Sequence, residues 1–130
     1  MDFYSQIMKI KDRPGVWIGD LSLENIKHFL DGISFCMDNN NCYDDFNRSY
    51  YKNFNWYVNY KLLKMAISDE QRENLKVNNS RGFCQLISIV QPNPKKQIDM
   101  FFEMFESFYQ DYINEYDFIS IIDYFKKDYF

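Results

Sequence analysis

"FCQLISIV", residues 83–90, is the stretch on which the fold class turns. Phe83, Leu86, Ile87 and Val90 recur at the spacing of one helix face, while the β-branched residues among them equally suit a buried strand. A strand needs a neighbour to pair its backbone groups. No other segment of the chain reads as one, so 83–90 predicts a helix and the whole sequence an all-α protein. "QPNP" (91–94) ends that helix.

The flanking segments agree. Residues 95–113 set Ile98, Phe101, Phe102, Phe105, Phe108, Tyr109 and Tyr112 on one side of a helix, with Lys96, Asp99, Glu103, Glu106 and Gln110 largely opposite. Phe118, Ile121, Ile122 and Phe125 repeat the pattern over 115–127. Upstream, Phe54, Val58, Leu62 and Met65 form one face of a helix from about 50 to 66, with Trp56, Tyr57 and Lys61 beside or opposite it. "SDEQRENL" (68–75) holds Ser68 and Gln71 three apart, the spacing of a capping box, and predicts a short helix before the polar loop "KVNNSRG". Residues 23–38 carry Leu23, Ile26, Leu30, Ile33 and Met37, widened by Phe29 and Cys36, behind a Ser22 cap. Gly32 inside that helix costs ~1 kcal/mol relative to Ala, and a close helix–helix approach would account for it. "DNNNCYDD" (38–45) reads as a surface loop. Phe3, Ile7 and Ile10 predict a first helix over 3–11.

Between the first two helices lies "RPGVWIGD" (13–20). Pro14 stops the preceding helix and sets its own φ, and Gly15 and Gly19 allow a sharp turn. Val16, Trp17 and Ile18 are too apolar to lie on water together. This predicts a structural corner whose side chains plug one end of the core.

The chain of 130 residues fits one domain, so residues 1–130 read as a single compact all-α domain of roughly five to seven helices around an aromatic-rich core. Thirteen Phe and 11 Tyr supply that core; only 4 Gly and 3 Pro argue against an all-β chain rich in turns. Not every aromatic fits inside so small a core, so several Tyr are expected at the surface.

The net charge of −4 is uneven. Residues 99–130 carry eight acids (Asp99, Glu103, Glu106, Asp111, Glu115, Asp117, Asp123, Asp128) against Lys126 and Lys127, a net of −6. Such an end repels nucleic acid and attracts a basic protein. The three Cys (36, 42, 84) have no disulfide-framework spacing and are expected reduced. The first 15 residues show no signal-peptide pattern, and no apolar run approaches a membrane span, so a cytoplasmic protein without membrane contact is expected.

Sites for chemistry are sparse. The single His, His28, has Cys36 two helical turns away, too far to share an ion without distortion, so no metal is expected. No Ser sits in a nucleophile elbow, and no phosphate-binding glycine loop occurs. The paired acids Asp44-Asp45 and Asp69-Glu70 read as solvated loop residues rather than an acid–base pair. "RSYYKNFNWYVNYKLLK" (48–64) interleaves bases with aromatics as stacking platforms do, but it reads equally as an amphipathic helix with snorkelling lysines, and the acidic whole favours that reading. The expectation is a chain that is no enzyme, takes no cofactor and binds no nucleic acid.

Two resemblances attach to these motifs. "RPGVWIGD" is similar to the N-terminal "RPGMYIG" segment of the DNA gyrase B subunit, but the catalytic Glu, metal-binding Asn and glycine-rich phosphate motifs of that family do not follow it. The fuller resemblance is to small bacterial immunity proteins that accompany polymorphic or contact-dependent toxins. It rests on Arg13, Pro14, Gly15, Trp17, Ile18, Gly19 and Ser22, on "FLDG" (29–32), "FNWYVNYK" (54–61) and "FFEMFESF" (101–108). It departs at Trp17, where Tyr is usual, at Ile33, where the family favours Tyr, and at "GFCQLI", where Trp often precedes the apolar run. The resemblance implies a protein that neutralises a cognate toxin C-terminal domain by stoichiometric binding. The acidic balance suits a basic nuclease domain as that toxin. The expected contact residues are exposed acids: Asp38, Asp44 and Asp45 in the loop, with Glu103, Glu106, Asp111 and Glu115 on the acidic flank. A regulatory or structural interaction module, homodimeric through its tyrosines, is the alternative, and a small hydrolase using paired carboxylates a distant third.

Overall fold

The computed structural model describes residues 2–12, 22–40, 44–66, 68–78, 81–120 and 122–123, with Asp38 described by its backbone alone. Among them are six helices: α1 (Phe3–Asp12), α2 (Leu23–Asn39), α3 (Asp45–Met65), α4 (Asp69–Val77), α5 (Phe83–Val90) and α6 (Pro94–Ile113). Residues 118–120 and 122–123 are also helical. The described residues contain no strand, and the protein is an all-α fold. The "RPGVWIGD" corner, its plugging role, and the end of the 115–127 helix lie outside the described residues.

Segment 83–90 is helical over its whole length. Phe83, Cys84, Leu86 and Ile87 are buried, and Val90 is half-buried. Gly82 has no side chain with which to cap this helix. Asn55 of α3 does it instead: its Oδ1 accepts the Phe83 N–H at 3.1 Å. The other starts follow local rules. Ser22, Ser68 and Asn93 each accept the N–H three residues on, from Asn25, Gln71 and Lys96, and Pro94 occupies the first turn of α6.

α3 is the central helix, packed against α1, α4, α5 and α6. It begins at Asp45, earlier than the expected start near 50, because the Asp44 side chain caps it. Its buried arc is also wider than one amphipathic stripe. Phe46, Tyr50, Phe54 and Tyr57 are buried, as are Val58, Asn59, Leu62 and Ala66. Tyr57, expected beside or opposite the core face, is 1% exposed, while Met65, expected on that face, is 51% exposed at the last turn. A helix with neighbours on several sides has no single polar face to spare.

The core is a lattice of rings. Phe105 of α6 lies 6.2 Å from Phe3, 5.7 Å from Phe46, 5.7 Å from Tyr50 and 6.2 Å from Phe54, centroid to centroid. Phe83 bridges Phe54 (5.3 Å) and Phe101 (5.2 Å), which joins α5 to the same lattice. Most of these pairs are tilted or edge-to-face, the arrangement the ring quadrupole favours. Three polar side chains are enclosed with them: Ser34, Asn47 and Asn59. Asn47 Nδ2 donates to Ser34 Oγ at 3.3 Å, whereas the Asn59 amide has no hydrogen-bond partner among the described residues.

α2 departs from its expected stripe. Leu23, Ile26 and Leu30 are buried, but Ile33 and Met37 are only half-buried and Phe35 and Cys36 face solvent. Apart from α2's own backbone, no described atom comes within 4 Å of where a Gly32 Cβ would stand, so the close helix approach expected there is not present among the described residues.

Candidate functional site

The N-terminus of α1, the start of α3 and the C-terminal half of α6 meet at one end of the molecule, and most of the acids singled out in the sequence gather there. Asp44 has two duties. Its Oδ1 accepts the Asn47 N–H (2.6 Å) to cap α3, and its Oδ2 accepts the Phe3 N–H (2.9 Å) at the first turn of α1. Asp45, one residue on, is exposed in the first turn of α3 and pairs with Arg48 at 3.3 Å. That spacing and exposure make the pair weak.

Glu106 is half-buried. Its carboxylate accepts a short hydrogen bond from the Tyr4 hydroxyl and one from Gln110 Nε2 (3.0 Å). The Tyr4 ring stacks on Tyr109 at 3.6 Å and 11°. Burial, with Glu106 beside it, pushes the Tyr4 hydroxyl up to about 12. Asp111 is used similarly: its Oδ2 accepts from the Tyr57 hydroxyl at 2.9 Å, and Ser107 Oγ lies 2.6 Å from the same hydroxyl oxygen. Burial foremost, and then Asp111, holds the Tyr57 hydroxyl well above the usual range. α6 is thus tied to α1 and to α3 by two phenol–carboxylate bonds.

The remaining acids are spread. Glu103 is exposed on the outer side of α6 and forms no ion pair among the described residues. Glu115 is exposed just past α6 at φ 58°, a left-handed conformation that ends the helix, and its N–H donates to the Tyr112 carbonyl. Asp38 belongs to α2 by its backbone. The structure therefore brings Asp44, Asp45, Asp111 and Glu115 to one end, sets Glu103 and Glu106 along α6, and places Asp38 on a different helix.

That end contains a groove of 510 Å³ lined by Ser49, Tyr112, Ile113, Glu115, Tyr116 and Phe118. Burial, and then the charges of Asp45 and Asp44, raise the Tyr112 hydroxyl above its ordinary value. Of the residues that floor this groove, Tyr112 was expected on the apolar side of its helix, and Tyr116 and Ile113 were not singled out in the sequence beyond the general expectation of surface Tyr. The acids flanking them were the available signal.

A second groove of 690 Å³ runs along α2, lined by Phe29, Gly32, Ile33 and Met37 together with His28, Cys36, Gln6 and Asn40. His28 and Cys36 do share it, but among the described residues no three of His, Cys, Asp and Glu are grouped to hold a metal. Cys84 is buried, its S–H donates to the Leu23 carbonyl at 3.7 Å, and burial raises its thiol to about 12, which makes it a poor nucleophile. Among the described residues no helix is long and apolar enough to cross a membrane. Comparison with protein-family models, with curated proteins and with solved structures finds no match to this chain.

Proposed function

We propose that this chain is a cytoplasmic immunity protein that binds the C-terminal domain of a cognate bacterial toxin and blocks it stoichiometrically, without catalysis of its own. The observation that carries this reading is the end of the molecule where acids and half-exposed tyrosines occur together: Glu115 lines the groove with Tyr112 and Tyr116, Asp44 and Asp45 stand near the Tyr112 hydroxyl, and the Asp111 carbonyl accepts the Tyr116 N–H. Aromatic rings supply anchoring area in a protein interface, and carboxylates around them speed and orient the approach of a basic partner. A basic nuclease domain is the toxin class this charge suits, because an acidic protein competes for the surface that holds nucleic-acid phosphates. The motif resemblance supports the same reading.

The test is co-expression with the C-terminal domain of the protein encoded immediately upstream, scored by growth and by pull-down from the same cells. Rescue with a one-to-one complex is the expected result. Toxicity without rescue or binding would overturn the reading. The apolar groove on α2 favours a second reading, an interaction module that pairs with its own copy. Recovery of the chain from those cells as a self-dimer, with no toxin bound, would select it.

A further inference from the structure

The groove at the end of α6 has a composition that selects its occupant. Its floor is aromatic and aliphatic: Tyr112, Ile113, Tyr116 and Phe118. Ile113 is 50% exposed, Tyr116 45% and the adjoining Ile119 70%, so the described chain leaves apolar surface uncovered here. Glu115 is the one carboxylate in the groove's lining, and Ser49 is the one lining residue from α3. Asp44 and Asp45 stand close enough to Tyr112 to act on its hydroxyl, and Asp111 and Asp117 lie next in sequence to lining residues, with Arg48 the one base among residues 44–49 and 111–118.

We propose that this groove is the docking site for an arginine- or lysine-bearing segment of a partner protein, a reading that rests on the basic partner proposed above. An apolar segment would leave the Glu115 carboxylate desolvated and unpaired in the groove, which is costly. A basic side chain satisfies both parts of the site. Its aliphatic stem lies on Ile113 and Tyr116, its cation faces the tyrosine rings, and its head reaches the carboxylates. The acids divide their roles. Asp44 and Asp111 already accept hydrogen bonds inside the fold, so they contribute field. Asp45 and Glu115 are exposed and contribute contact. Arg48 lies 3.3 Å from Asp45 in an exposed pair, and an incoming guanidinium replaces it at little cost.

The test needs no toxin. The isotope-labelled full chain is titrated at low salt with a hexa-arginine peptide, with a hexaglutamate peptide as control, and amide shifts are followed by NMR. Shifts centred on residues 45–49 and 112–118, lost as salt is raised, are expected. The Asp45→Asn/Glu115→Gln double variant should bind about tenfold more weakly, and Glu103→Gln, on the outer side of α6, should bind as the parent does. Thermal melts check both variants; if the double variant melts early, Glu115→Gln alone is read in its place. No binding, equal binding of hexaglutamate, or shifts spread along the Glu103 side of α6 would overturn the proposal. Failure of growth rescue beside a groove-centred peptide response removes the immunity reading and leaves the groove, whereas rescue without that response does the reverse.

Discussion

Each oxygen of the Asp44 carboxylate accepts a backbone N–H at the start of a different helix, Asn47 for α3 and Phe3 for α1. Helix starts leave N–H groups unpaired, and an Asp cap answers one of them for about 1 kcal/mol. Removing this one answers none and also loosens α1 from α3. Asp44→Ala should therefore cost about 2–3 kcal/mol in urea unfolding, more than a single cap. Asp44→Asn keeps an acceptor oxygen and should lose about half as much. Asp45→Ala, with only an exposed ion pair, should change stability by less than about 0.5 kcal/mol. The contrast was not legible in the sequence, where Asp44 and Asp45 are adjacent acids of the same loop. Phe3, the group that distinguishes them, is 41 positions away. Glu106 and Asp111 were similarly legible as charge but not as phenol acceptors, because Tyr4 and Tyr57 lie 102 and 54 residues from them.

Elements with a periodic apolar stripe and a local cap were readable: α1, α4, α5 and α6 lie within two residues of where spacing puts them. α3 was less so. Its first turn, Asp45–Arg48, has one apolar residue, and its buried arc is wide because other helices surround it. α2 was readable in extent but not in burial. The half-buried Ile33 and Met37 and the exposed Phe35 and Cys36 follow the apolar pattern while no described helix covers them. Gly32 sits in this stretch with open space where a Cβ would be. An exposed Gly inside a helix leaves the unfolded chain extra freedom, so Gly32→Ala should raise stability by about 0.5–1 kcal/mol, measured as an upward shift of the urea midpoint. A fall would mean that something outside the described residues approaches Gly32 closely.

For the molecule as a whole, the tyrosines make alkali the sensitive direction. Burial raises the hydroxyls of Tyr4, Tyr50, Tyr57 and Tyr112 above their ordinary value. A folded chain that holds these protons more tightly than the unfolded one is fully stabilised by them below about pH 10. It loses that stability as pH rises beyond this value, with the Tyr4 contribution gone once pH has passed about 12. Denaturant midpoints should fall with a measurable slope between pH 10 and 12. The Tyr4→Phe/Tyr57→Phe double variant, weaker at neutral pH by the loss of its hydroxyl bonds, should show a shallower slope across that window. An unchanged slope would mean that these two phenols do not couple to folding.

The bond from Tyr4 to Glu106 spans 102 positions and joins α1 to α6. On a ribosome adding about 5–20 residues each second, α1 precedes its partner by roughly 5–20 s. Throughout that interval Phe3, Ile7 and Ile10, all enclosed in the finished protein, have no α6 to cover them. Over that interval the nascent chain carries the apolar face of α1 without its α6 cover, and the aromatic lattice closes only once Phe105 has emerged.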